Sequence, residues 1–175
     1  YLCDRRGGAP VQLTHGEDEV VAFYGVDAAR GCVYYRAHDG SPLRTAIFSV
    51  DLQGKKRSRL STANGTNRAQ FNSDYSYFTL WHSSAQEPLQ VSLYRTQKRG
   101  RGGELVRILE DNSALRAKLT EYRLPRKEFF SFETSDGVAL NGYRIVPHDF
   151  DSTRRYPVLM FQYSGPGSQS VVDQF

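Results

Sequence analysis

Residues 162–170 read QYSGPGSQS. Tyr163 closes an apolar run, PVLMFQY over 157–163, and a Ser-Gly-Pro-Gly-Ser stretch follows at once. A phenol at the end of a rigid buried strand is a preorganised hydrogen-bond donor. Such a donor suits a site where negative charge develops on an oxygen, and Tyr is among the side chains that can serve there. Read from the residues alone, the plainer account of Tyr163 is a strand-end aromatic whose hydroxyl meets water. Ser164, Ser168 and Ser170 surround the turn, yet none lies in the G-x-S-x-G spacing that presents a serine nucleophile, and that motif occurs nowhere in the chain. Ser168 or Ser170 reads instead as the cap of a helix beginning at Val171.

Other chemistry-bearing residues do not cluster. His15, His38, His82 and His148 stand at no ligand spacing and read as turn or surface residues. Cys3 and Cys32 are 29 positions apart with no CxxC partner, which disfavours a metal site; a disulfide in an oxidising compartment and two free thiols both fit. No cofactor is expected. Glu17-Asp18-Glu19 reads as a solvated turn. So does Asn64-Gly65-Thr66, a glycosylation sequon in form. The net charge of +4 comes from short clusters, KKRSR at 55–59, KRGR at 98–101 and Arg154-Arg155. Each lies in a turn-like setting, with no sign of the convergent basic face that nucleic acid requires.

The elements around these residues are mostly strands. The chain has 175 residues, room for one domain or parts of two, and its aromatic fraction of 13% suits β-structure. No run approaches eighteen apolar residues, so no membrane span is expected. The opening YLCDRRGG lacks a signal-peptide pattern and reads as the middle of a strand, which points to a piece of a longer chain. Candidate strands are 1–4, 10–13, 19–26, 31–37, 45–52, 57–61, 68–72, 75–82, 89–96 and 104–109. They repeat. Leu13, Leu60 and Ile108 each close a strand, 47 and 48 residues apart; Phe23 and Phe71 are 48 apart; Leu2, Phe48 and Leu93 are 46 and 45 apart. Four short strands about every 47 residues is the pattern of a β-propeller blade. By this count residues 1–13 end one blade, and 19–61 and 68–109 form two whole ones. An all-β sandwich with coincidental spacing is the competing reading.

The pattern then changes. DNSALRAKLTEY at 111–122 predicts one short helix, with Asp111, Asn112 or Ser113 as cap and Leu115, Leu119 and Tyr122 on one face. Residues 128–134 and 138–146 predict a hairpin about Gly137. The nearly continuous apolar run 157–163 predicts a strand buried on both faces. The expected fold is mainly β: about two and a half propeller blades, then the first strands of an α/β domain. The expected division is 1–112 for the blades, 113–127 for a helix and linker, and 128–175 for the start of a second domain.

RILEDNSALRAKL at 107–119, then the hairpin, then YPVLMFQYSGPGSQ at 156–169 resembles the dipeptidyl peptidase IV branch of the prolyl oligopeptidase family of serine peptidases. The Leu-Glu-Asp-Asn run at 109–112 and the Tyr-Ser-Gly-Pro run at 163–166 carry the resemblance, and QYSGPGSQ looks more like the bacterial members than the vertebrate ones. The resemblance implies a propeller capping an α/β-hydrolase domain, a Ser-Asp-His triad, and release of dipeptides from peptides with Pro or Ala in second position. It implies that Tyr163 is the oxyanion tyrosine. It further implies a homodimeric, periplasmic or otherwise extracytoplasmic parent protein. No residue here matches the triad or the paired glutamates that hold the substrate amino terminus in that family, so the piece by itself is expected to be inactive. A non-catalytic propeller used for protein binding, and another prolyl oligopeptidase relative such as an acylaminoacyl peptidase or oligopeptidase, are the alternatives.

Overall fold

The computed structural model describes every residue except Arg101, Ser164, Pro166 and Gly167, and leaves the Arg99 side chain aside. It separates into two compact units, Tyr1–Asn112 with Asp173–Phe175, and Ser113–Val172.

The first unit is built from two antiparallel sheets. In one, β1 (Val20–Asp27), β2 (Cys32–His38), β3 (Thr45–Asp51) and β4 (Arg57–Arg59) lie side by side in chain order. In the other, β5 (Thr66–Phe71), β6 (Tyr77–Ser84), β7 (Glu87–Thr96) and β8 (Gly103–Glu110) do the same. These are the two four-strand units that the 47-residue spacing predicts, with ends shifted by two residues or fewer. Local turn chemistry sets them up. Asp27 accepts the Arg30 backbone N–H at 2.9 Å and its side chain at 2.7 Å, closing the β1–β2 turn. Arg30 also donates to the Asp74 carbonyl at 2.9 Å, in the β5–β6 turn of the other sheet.

Strand alternation divides the buried residues into two layers. Val33, Tyr35, Ala37, Ala46, Phe48 and Val50 pack with Leu13 on one face of the first sheet. Cys32, Tyr34 and Ile47 point the other way and meet Leu60, Ala69, Phe78 and Leu80. The central strands β2 and β3 are therefore covered on both faces. Within the second layer the rings form a continuous row. Tyr34 stacks on Phe71 at 4.6 Å, Phe71 meets Phe78 at 5.0 Å, and Phe78 stacks on Tyr94 at 5.2 Å. Burial of such a side chain is worth about 1.5–3 kcal/mol, with about 0.5–1.5 kcal/mol more for a well-placed ring pair.

The two strands expected within 1–13 reduce to one antiparallel bridge, Leu2 with Val11. Nearly all of that segment is exposed, and an isolated hairpin without a covered face is marginal in water.

The second unit holds helix α1 (Ser113–Thr120) and a hairpin of β9 (Lys127–Glu133) and β10 (Ala139–Ile145). The hairpin pairs in unbroken register from Lys127–Ile145 to Glu133–Ala139. Its turn closes through the Thr134 N–H on the Val138 carbonyl at 2.9 Å. None of the described residues of this unit is buried. Two expectations are corrected here. Residues 157–163 form no strand: Val158, Leu159, Met160 and Phe161 are 81–97% exposed. An apolar run without alternation is stable as a strand only between neighbours that cover both faces, and among the described residues none pairs with it. The helix expected from Val171 is absent too. Among the described residues, no helix is long and apolar enough to cross a membrane.

Candidate functional site

Tyr163 ends the apolar run 157–163 and is 64% exposed. Its ring lies against Gly165. A Cβ on Gly165 would sit 3.0 Å from the phenol oxygen and 3.1–3.2 Å from the ring. Gly165 is not in the left-handed region; what it contributes is space. The absent side chain leaves the phenol room beside the backbone. The Ser168 N–H donates to the Gly165 carbonyl at 3.1 Å. The rest of the Ser-Gly-Pro-Gly-Ser stretch that the sequence places after Tyr163 falls largely on Ser164, Pro166 and Gly167, which lie outside the described residues. The arrangement presents an exposed phenolic donor beside Gly165.

The Leu-Glu-Asp-Asn run at 109–112 has a physical role. Glu110 ends β8, and its Oε1 accepts the Asn112 backbone N–H at 2.7 Å. Asn112 has φ +54°, a conformation that Asn tolerates better than most residues. Its side-chain amide donates to the Leu89 carbonyl on β7. Of the three cap candidates, Asn112 immediately precedes α1. Asn112 thus both ties the chain to the sheet and turns it out towards the helix.

Other candidates fall in structural roles. Cys3 is exposed and Cys32 is buried, both as free thiols, so the disulfide alternative does not hold. Burial pushes the Cys32 thiol up, and the Tyr34 phenol is raised by the same cause. His82 is not a surface residue: it is 8% exposed on β6, with Nε2 3.4 Å from Glu87. His38 lies 3.9 Å from Glu19. Asp18 is not simply solvated. It accepts the Gly40 N–H at 3.0 Å and pairs with Arg57 at 3.2 Å, and the Arg57 guanidinium stacks on Phe48 at 3.9 Å. In the 64–66 turn, the Thr66 hydroxyl is committed to the Asp173 carbonyl at 3.1 Å. Sequence reasoning missed Asp173 altogether. It is 7% exposed and bonded to several backbone groups of the first unit. A lone Asp in a polar tail carries no signal of burial.

A family model described as the dipeptidyl peptidase IV (DPP IV) N-terminal region matches residues 1–89. The crystal structure of Porphyromonas gingivalis dipeptidyl peptidase 4 superposes with a TM-score of 0.89 at 42% identity, over 99% of this chain and 24% of that one. The probable dipeptidyl peptidase 4 of Emericella nidulans is 32% identical over 173 residues, covering 98% of this chain and 22% of its own length. Dipeptidyl peptidase 4 of Trichophyton rubrum is 31% identical over 175 residues with the same two coverages. The chain thus spans about a fifth of the length of the curated relatives it matches.

Proposed function

The chain belongs to the dipeptidyl peptidase IV family, and on that footing we propose that it is part of a serine exopeptidase releasing N-terminal X-Pro or X-Ala dipeptides from peptides. The observation that carries this reading is the 42% identity across 99% of the chain to a dipeptidyl peptidase 4 of known structure. The two four-stranded sheets are blades of a β-propeller, and residues 128–175 begin the α/β-hydrolase domain. In that domain Tyr163, at the end of the apolar run 157–163, reaches the catalytic site. The phenol donates to the substrate oxygen that turns negative as the serine attacks, and withholding one such donor costs about 10²–10³ in rate. Exposure of Tyr163 and the space that Gly165 leaves beside it support this role. The triad and the residues that hold the substrate amino terminus belong to other parts of the full-length protein, so these 175 residues alone are inactive. The full-length protein is homodimeric and extracytoplasmic, which size-exclusion chromatography and cell fractionation test.

The test of the activity itself is an assay of the full-length protein on Gly-Pro and Ala-Pro amides. Turnover that a serine-directed inhibitor abolishes, and that acetylating the substrate amino terminus also abolishes, is expected. A folded full-length protein without such turnover would favour a propeller used for binding. Turnover of acetylated or internal sites would favour another prolyl oligopeptidase type.

A further inference from the structure

Neighbouring units of a repeat hold each other through residues of the repeat itself. The two sheets of the first unit do so along most of their seam. At one end Arg30 donates to the Asp74 carbonyl at 2.9 Å. The row of Tyr34, Phe71 and Phe78 fills the middle. At the other end the Thr45 N–H donates to the Gly65 carbonyl at 3.1 Å, and the Asn67 N–H donates to Thr45 Oγ1 at 3.1 Å. Asn67 Nδ2 donates to the Thr45 carbonyl at 2.8 Å. Thr45 begins β3 and Asn67 lies on β5, so these bonds cross from one sheet to the other.

This second end carries a group that neither sheet contains. Asp173–Phe175 belong to the first unit although they follow residue 112. The Asp173 N–H donates to the Leu43 carbonyl at 2.9 Å, and its carbonyl accepts the Thr66 hydroxyl at 3.1 Å. Its Oδ2 accepts Arg44 Nε–H at 3.0 Å, and its Oδ1 accepts the Ala85 N–H at 2.8 Å. The Phe175 N–H donates to Ser83 Oγ at 3.1 Å. Leu43 and Arg44 lie just before β3 of the first sheet. Thr66, Ser83 and Ala85 lie at the start of β5, the end of β6 and the turn that follows it, all in the second. One carboxylate thus has an oxygen on each sheet. It is 7% exposed, and a buried carboxylate is tolerated only with such partners. We propose that residues 173–175 are a strap, with Asp173 as its clasp, that keeps the Thr45–Asn67 end of the seam closed. Closure of that end is then set by a segment outside both sheets. The bonds at the margin of a packed structure open more readily than those at its centre. With the clasp released, the Thr45 and Asn67 bonds become that margin. The Arg30–Asp74 bond lies beyond the aromatic row and does not.

The test is amide hydrogen exchange of the full-length protein, read by mass spectrometry, for the unaltered chain, Asp173→Ala and Arg44→Gln. Asp173→Ala removes both carboxylate bonds. It is expected to speed exchange about 10- to 100-fold in peptides that contain the Thr45 and Asn67 amides, the scale of a lost hydrogen bond to a charged group. Neither amide touches Asp173, so the change there reports the seam and not the lost bond itself. Peptides across the Asp27–Arg30 turn, at the opposite end, should exchange as before. Arg44→Gln should act at the same place and by less. A change confined to the Ala85 amide would overturn the proposal, since the aspartate would then hold only its own donor. A rise of equal size at the Asp27–Arg30 turn would overturn it too, by making Asp173 a general stabiliser. If Asp173→Ala shows no folded thermal transition, Arg44→Gln decides, since its side chain is 46% exposed and tolerates replacement. Faster exchange at Thr45 and Asn67 with an unchanged Asp27–Arg30 turn then supports the strap, and any other pattern overturns it.

Discussion

Ile47 and Leu159 are both aliphatic residues in the middle of apolar runs, yet Ile47 is 0% exposed and Leu159 is 97% exposed. Ile47 lies on β3, whose neighbours β2 and β4 follow it or precede it by a few residues, and whose facing sheet begins at Thr66. Everything that buries it lies nearby in the sequence. Leu159 lies in a run suited to the interior of a sheet with covered faces, and none of the described residues pairs with it. A repeat architecture buries its core between successive units, so a stretch of two repeats already has an interior. The run 157–163 has no such neighbouring unit among the described residues, so it has none. The two regions differ in the range of their contacts and not in how apolar they are.

Truncations give the largest effects with which to break this contrast. Phe78→Ala, in the aromatic row, should cost about 3–5 kcal/mol by urea unfolding of the 175-residue chain. Phe161→Ala in the same chain should stay within about 0.5 kcal/mol. Equal costs would erase the distinction between the regions. Glycine replacements come next. Gly65 has φ +121° and a Cβ there would lie 2.4 Å from the Ser83 carbonyl, whereas Gly137 has φ +75° and open space around it. Gly137→Ala should cost about 1–2 kcal/mol for the left-handed backbone alone, and Gly65→Ala more, since backbone must also shift. The reverse order would mean that the junction of the two sheets is looser than its contacts indicate.

Chemical access and pH then sharpen the contrast without any substitution. Iodoacetamide at about pH 8 should label Cys3 in the native protein and reach Cys32 only on unfolding, because a buried protonated thiol is inert. The folded Cys32 thiol holds its proton beyond the ordinary value of 9.0. The unfolded thiol ionises first, so stability is intact below that value and declines as pH rises past it. A melting temperature that stays constant from neutral pH to well beyond this point would contradict the burial. The smallest effect belongs to Tyr34→Phe. The Tyr34 hydroxyl is buried without an ordinary hydrogen-bond partner among the described residues, beside the weakly bonding Cys32 thiol. Its removal should change stability by less than about 1 kcal/mol, although the ring itself is indispensable to the row.

What the sequence disclosed follows the same division. The spacings of Leu13, Leu60 and Ile108 predict both sheets because a repeated unit leaves a repeated pattern. Gly137 predicts the hairpin because its turn is local. The run 157–163 announces a need for burial, but nothing in its residues says which strands would meet it. Asp173 was not legible at all. Its partners are backbone groups at Leu43 and Ala85 and the side chains of Arg44 and Thr66, separated from it by 88 to 130 positions, and such bonds leave no periodicity. Gly165 was legible as a glycine, but the room that it leaves for the Tyr163 ring was not.

The central claim is that Tyr163 stabilises the developing oxyanion, and steady-state kinetics of the full-length Tyr163→Phe variant on a Gly-Pro amide tests it most directly. The account predicts kcat lowered about 10²–10³-fold, KM changed little, and an unaltered thermal transition. A kcat equal to that of the unaltered enzyme, or a loss confined to KM, would contradict it.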